Sequence, residues 1–187
     1  MRRIIMFNRV SADGYFSTPD GGLDWAAPDD RLDEAMAGRI PDADAILFGR
    51  RTYDMFESFW PRASALRTMG LWINEAAKLV FSNTRRQLTW RNSQLLGAFD
   101  AREVTALKQR PGKNIMIFGS GSIVSLLTQH GLIDEYDLVV SPILLGKGAP
   151  WLTAPAKHTQ LELIESKAYA SGNVLFRYGR AGERSSG

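Results

Sequence analysis

Lys113-Asn114-Ile115-Met116-Ile117-Phe118-Gly119-Ser120-Gly121-Ser122-Ile123-Val124-Ser125-Leu126-Leu127-Thr128-Gln129-His130-Gly131 is the stretch whose reading decides the fold. A short, wholly apolar run, Ile115 to Phe118, suits a strand covered on both faces. Gly119-Ser120-Gly121-Ser122 lets the chain turn sharply and lets its backbone come close to a ligand. The serines are good helix caps. From Ile123 the apolar residues Val124, Leu126 and Leu127 recur with helical spacing, and His130-Gly131 closes the pattern. The result is strand, tight turn, helix. A helix starting there aims unpaired N–H groups and a positive field at whatever lies over the turn, most often a phosphate. Gly-Ser-Gly-Ser falls short of the G-x-G-x-x-G dinucleotide pattern. From these residues alone, a ligand-free turn and an anion seat stand equally open.

Composition narrows the field. The 187 residues are enough for one domain with a substantial core, and 44% hydrophobic with 23% charged residues is ordinary for a globular protein. A net charge of +3, with no lysine or arginine block, argues against nucleic acid as a partner. Cysteine is absent and only His130 and His158 represent histidine, which disfavours disulfides, a thiolate nucleophile and a histidine metal centre. No apolar run is long enough to span a membrane, and the opening Met1-Arg2-Arg3 leads into a strand that breaks at Asn8-Arg9. A cytoplasmic location is expected. Residues 1–180 read as one domain and 181–187 as a disordered tail.

Other strand ends repeat the chemistry of the first. Arg3 to Val10 is a strand near the sheet centre, followed by the glycine-rich segment Ser11 to Trp25. Pro28-Asp29-Asp30 opens a helix to about Gly38. Ala43 to Phe48 is a strand, and Gly49-Arg50-Arg51-Thr52 then leads into a helix carrying Tyr53, Phe56 and Phe59. Two arginines suit bidentate phosphate contact. A connecting helix over Ala63 to Glu75 precedes the strand Ala77 to Phe81, which ends in Ser82-Asn83-Thr84-Arg85-Arg86. A strand from Trp90 to Leu96 and a helix capped by Asp100 follow. Downstream lie the strand Tyr136 to Val140 and the loop Gly146-Lys147-Gly148. An antiparallel hairpin then pairs Leu161–Ser166 with Asn173–Tyr178. In open α/β sheets ligands sit beyond the carboxyl ends of the strands, so three such ends could serve one long anionic cofactor.

The ordered set Ser11-Ala12-Asp13-Gly14, Gly49-Arg50-Arg51-Thr52, Leu79-Val80-Phe81-Ser82, Gly119-Ser120-Gly121-Ser122 and Gly146-Lys147-Gly148 resembles the dihydrofolate reductase superfamily. It is most similar to the reductase domain of bacterial riboflavin biosynthesis and that domain's stand-alone relatives. The resemblance implies a three-layer α/β fold: a central, mostly parallel mixed sheet, helices on both faces, and a C-terminal antiparallel hairpin. It implies NADPH as cofactor. Gly49, Arg50, Arg51 and Thr52 would serve its phosphates. Ser82, Asn83 and Arg85 would hold the adenosine end. Gly119, Ser120, Gly121, Ser122 and Ile123 would cradle the pyrophosphate.

On the substrate side, Trp25-Ala26-Ala27-Pro28-Asp29-Asp30 resembles the Trp-x-x-Pro segment that precedes the dihydrofolate reductase carboxylate, and places Asp30 at the acid's position. Burial would raise the pKa of such an acid toward proton donation. Asp13, Trp25 and Lys147 are the candidate substrate contacts. The implied activity is hydride transfer to a small heterocycle or a ribosylamino-pyrimidine phosphate. A pterin reductase, a flavin- or other nucleotide-binding protein, and a non-catalytic member of the fold are the alternatives. The relatives also imply a homodimer.

Overall fold

In the computed structural model the described residues are 1–26, 28–62, 67–153 and 158–182. The chain runs β1 (Ile4–Ser11), β2 (Tyr15–Ser17), α1 (Asp30–Ala37), β3 (Ala43–Gly49), α2 (Arg50–Phe59), α3 (Arg67–Glu75), β4 (Ala77–Phe81) and β5 (Ser93–Gly97). It continues with α4 (Ala101–Gln109), β6 (Asn114–Phe118), α5 (Gly121–Gln129), β7 (Glu135–Ser141), β8 (Ala149–Pro150), β9 (Leu161–Ala168) and β10 (Val174–Arg180). The expected helix over 63–75 is present as α3; residues 63–66 lie outside the described residues, as do 183–187 of the expected tail.

Eight strands form one sheet in the order β5-β4-β3-β6-β1-β7-β10-β9. All pairs from β5 to β7 are parallel, and β10 alone runs antiparallel to its neighbours β7 and β9. The expected three layers and C-terminal hairpin are present. Alternation along each strand sorts the side chains into two cores. On one face Ile4, Met6, Ala45, Leu47, Ile115 and Ile117 pack with Val104 of α4 and Val124 and Leu127 of α5. On the other, Ile46, Phe48 and Val80 meet Tyr53 of α2 and Ile73 of α3, while Val139 and Leu175 meet Leu32 and Met36 of α1. The central strands are buried on both faces, which is why they read as continuous apolar runs.

This sorting places the site. β3 and β6 are hydrogen-bonded neighbours, yet α2 leaves β3 toward one face and α5 leaves β6 toward the other. The helices fork above adjacent strand ends, where an open α/β sheet forms a crevice. Two segments expected as loops pair above this fork: β2 and β8 form a separate antiparallel ribbon. Gly148 is indispensable there, because a Cβ at this position would sit 2.1 Å from the Ser17 carbonyl oxygen.

Two charged groups are buried away from the fork. Lys78 of β4 is fully buried; its Nζ donates to the Asn74 and Ala76 carbonyls, 2.7 and 2.8 Å away at the end of α3, and lies 4.5 Å over the Trp90 ring. Asp137 of β7 is fully buried, with Arg177 Nε at 3.5 Å and Arg39 Nε at 3.7 Å and no hydrogen bond to either oxygen. Arg39 instead bonds Glu135, which Arg3 also pairs at 3.1 Å. Burial pushes the Asp137 carboxyl up to about 7 against the pull of both arginines. The folded state therefore holds this proton more tightly than the unfolded chain, where the value is 3.8, and the group weakens the fold as pH climbs between the two values. Asp137→Asn is expected to flatten the decline of the thermal midpoint from about pH 4 to about pH 7; parallel slopes for both proteins in a calorimetric pH series would contradict this.

Candidate functional site

The opening stretch folds as strand, turn and helix, but its serine works differently from expectation. Gly119 and Ser120 are both left-handed, at φ 58° and 53°. Glycine adopts this freely, whereas a serine there carries a strain of about 1–2 kcal/mol. Ser120 stands at the N-cap of α5, yet its hydroxyl does not cap that helix. It reaches across to β3, where it accepts the Gly49 N–H at 3.1 Å, and the Ser120 N–H in turn donates to Thr52 Oγ1 at 3.0 Å. These two buried bonds stitch the β3–α2 turn to the β6–α5 turn. The left-handed backbone turns Ser120 toward its neighbour, and α5 is left with a bare start.

The four helices whose N-caps are described divide by what they face. α1 and α4 are capped by Asp29 and Asp100 and carry acids in their first turns. α2 and α5 have no side-chain cap and no first-turn acid. Both bare ends open on a cleft of about 620 Å³ between the forked turns. Gly49 to Thr52 line one side and Ser120 to Ile123 the other, with Phe81, Ser82, Asn83 and Thr84 along the β4 end. Arg50 and Arg51 occupy the first turn of α2, the end where the helix field disfavours cations. Arg50 is held by Asp54 at 2.8 Å, and Arg51 forms no ion pair among the described residues. Bare N–H groups, a dipole and an unneutralised guanidinium suit an anion. Gly121 brings the far wall close: a Cβ there would meet the Pro150 carbonyl oxygen at 3.1 Å and the Phe16 ring at 3.2 Å.

A second cavity of about 1020 Å³ adjoins the cleft and shares Phe16, Arg51, Thr52 and Ala149 with it. Trp25 lines it, as expected of a substrate-side residue, with its indole N–H buried and unpartnered among the described residues. The rest of its wall was not foreseen. Phe7 and Phe118 meet edge to face at 6.0 Å, Phe118 stacks on Phe56 at 6.1 Å, and Phe56 meets Trp60 at 6.0 Å. Asn8, buried on β1, also lines it. The sequence held faint signals for these: Asn8 interrupts an apolar strand, and Phe56 and Phe59 follow Gly49-Arg50-Arg51-Thr52 at helical spacing.

Four expected site residues stand elsewhere. Asp30 is the first residue of α1, exposed and outside the lining of both cavities. Its neighbour Asp29 takes the cap, accepting the Leu32 N–H at 3.0 Å and the Ser171 hydroxyl, and these bonds hold the Asp29 carboxyl below its usual range. One residue further round the helix, Asp30 is left on the solvent side. Asp13 is also committed. It accepts the Ser11 hydroxyl at 2.6 Å and the Leu145 and Gly146 N–H groups at 3.1 and 2.7 Å, so it fastens the loop before β8 rather than lining the cavity. The Ser11 bond leads in holding its carboxyl low. Lys147, in that loop, is exposed and lines neither cavity. Arg85 is drawn away from the cleft by Asp54 at 2.8 Å and Glu57 at 2.6 Å. Sequence spacing placed all four near the site; local partners hold Asp13 and Arg85 elsewhere, and Asp30 and Lys147 are exposed.

The profile of the RibD C-terminal domain family matches residues 2–175, so the chain belongs to that family. It is 30% identical over 182 residues to the uncharacterized protein YyaP of Bacillus subtilis (strain 168), covering 95% of this chain and 94% of that one. Among solved structures it resembles a Shewanella sp. PV-4 protein ascribed to riboflavin biosynthesis, with TM-score 0.78, 24% identity, and 95% and 98% of the two chains covered. It also resembles dihydrofolate reductase from Enterococcus faecalis, solved with NADP(H), with TM-score 0.65, 13% identity and 96% of each chain covered. These two likenesses establish a fold shared with dihydrofolate reductase.

The stitch between the turns is testable. Ser120→Ala leaves the buried Gly49 N–H without an acceptor and is expected to lower unfolding free energy by roughly 1–3 kcal/mol. Ser122→Ala, on the exposed side of the same turn, is expected to stay within about 0.5 kcal/mol. Urea denaturation of both variants measures the contrast.

Proposed function

We propose that this protein is an NADPH-dependent oxidoreductase that reduces a small molecule. The observation that carries this reading is the cleft between α2 and α5. Two uncapped helix starts, with Arg50 and Arg51 on one of them, open on a space bounded by three strand ends. Membership of the RibD C-terminal domain family and the fold shared with dihydrofolate reductase support it. The side chains fit the cofactor. Ser120 to Ile123 would cradle the pyrophosphate from the α5 side, and Gly49, Arg50, Arg51 and Thr52 from the α2 side; the expected Gly119 lines the adjoining cavity instead. Ser82 and Asn83 would border the adenosine end. Arg85 would act indirectly: it braces Asp54, the carboxylate that also holds Arg50.

Bound there, NADPH supplies a hydride from its nicotinamide ring. The chain's own part is to orient the acceptor in the adjoining cavity and to exclude water from one side of it. Asp20 is the only carboxylate in that wall among the described residues. The Thr18 hydroxyl, bonded to it at 2.5 Å, holds its carboxyl below the usual aspartate range, so it is a poor proton donor. Asp30 lies outside, so the proton required by the reduced product comes from water. The positions of Asp13, Lys147 and Asp30 count against a phosphorylated ribosylamino-pyrimidine and against a pterin held by a buried acid.

Titration of NADPH, followed by its nicotinamide fluorescence, is expected to saturate in the micromolar range; saturation only at millimolar cofactor would refute the reading. Arg51→Ala is expected to weaken NADPH about tenfold to a hundredfold, the worth of a charge-assisted phosphate contact. Asp30→Asn is expected to leave both cofactor affinity and the rate of NADPH oxidation within about twofold, as for a surface substitution. A large loss of rate with unchanged affinity would restore Asp30 as the acid.

A further inference from the structure

We infer that the aromatic cavity takes an uncharged, flat, mainly apolar ring compound with one or two hydrogen-bond acceptors, and that this is the substrate class. The inference rests on the reading of the neighbouring cleft as the cofactor site, because the two spaces share Phe16, Arg51, Thr52 and Ala149. Three features of the wall define the ligand.

The first is the ring surface. Phe7, Phe118, Phe56 and Trp60 form a continuous series of aromatic contacts along one side, an arrangement that favours a planar guest through offset or edge contacts. The second is the rim. Leu23, Met55 and Phe59 are 44%, 39% and 53% exposed, and all three line this one cavity. Large apolar side chains gathered at the mouth of a pocket mark a surface that an apolar ligand covers.

The third is what the polar residues are doing. The Ser58 hydroxyl donates to the Met55 carbonyl at 2.7 Å, and the Thr18 hydroxyl donates to Asp20. Arg9 is paired with Asp33 at 2.6 Å. These two hydroxyls and the Arg9 charge are therefore already engaged, Arg51 is taken by the cofactor's phosphates in the reading above, and the Asp20 carboxylate would repel a further phosphate. Two donors stay open among the described residues: the Trp25 indole N–H, buried without a partner, and the Asn8 amide. Among the described residues the Asn8 Nδ2 makes only a long 3.5 Å contact to the Gly119 carbonyl, which leaves a second N–H to orient an acceptor in the cavity.

Calorimetric titration of the protein saturated with NADP+ tests this, with 9-fluorenone as the neutral planar ketone and 5-amino-6-(5-phosphoribosylamino)uracil as the phosphorylated comparison. The ketone is expected to bind at least about tenfold more tightly. Met55→Asp and Phe59→Asp, at exposed rim positions, are each expected to weaken the ketone about tenfold by setting a carboxylate against it, with NADP+ affinity unchanged. Tighter binding of the phosphorylated pyrimidine, or ketone affinity unmoved by both rim variants, would overturn the inference. Failure of NADP+ to bind, with rim-sensitive ketone binding intact, would overturn the cofactor reading and leave the ring site standing.

Discussion

The reciprocal pair of hydrogen bonds between Ser120 and the Gly49–Thr52 turn is the constraint on which the site depends. It joins two strand ends whose helices leave on opposite faces of the sheet. It holds a serine in the left-handed region, where an L-residue sits only when its surroundings over-determine it. In doing so it takes the side chain that would otherwise cap α5. The strain and the missing cap have one cause, and together they keep N–H groups directed into the cleft. A helix start optimised for stability alone would look like α1 or α4, with an aspartate bonded back to its own first turn.

Around that fork the structure divides its chemistry between two adjoining spaces. The cleft has backbone donors and arginines; the cavity beside it has rings and thioethers. The division follows from topology. The cleft lies between the two helix starts, whereas the cavity lies over the ends of β1 and β6 and beneath the β2–β8 ribbon, where Phe7, Phe16 and Phe118 come together. Ion pairing sharpens it. Asp54 and Glu57 draw Arg85 away, and Asp33 holds Arg9. Arg51 remains unneutralised by any described carboxylate, at the boundary of the two spaces.

Much of this was legible in one dimension. Central parallel strands must be apolar on both faces, so Ile115–Phe118 and Ala43–Phe48 announced themselves, and a glycine-bearing turn after each announced a crossover helix. The order of the motifs carried the family. Of the residues expected to hold a cofactor, Gly49 to Thr52, Ser82, Asn83 and Ser120 to Ile123 line one cleft, and Gly119 lines the adjoining cavity. Where the residues expected around a substrate stand was harder to foresee, for a physical reason. Acidic and basic side chains form their bonds with whatever partner the fold brings nearest, and spacing does not reveal that partner. Asp13 met two backbone N–H groups more than a hundred residues away, and Ser171 met Asp29 rather than Asp30.

By itself, then, the sequence determined the strands, the crossover helices, the glycine turns and the membership of a reductase-like family, because local periodicity and steric freedom are written in consecutive residues. Tertiary structure alone decided which helix starts stay uncapped, which charges are neutralised, and which rings meet to form the second cavity. Each of these depends on contacts between segments far apart in the chain. At the opening stretch the two levels meet: its residues specified a turn, and Thr52 and Gly49, some seventy positions earlier, fixed what that turn leaves open.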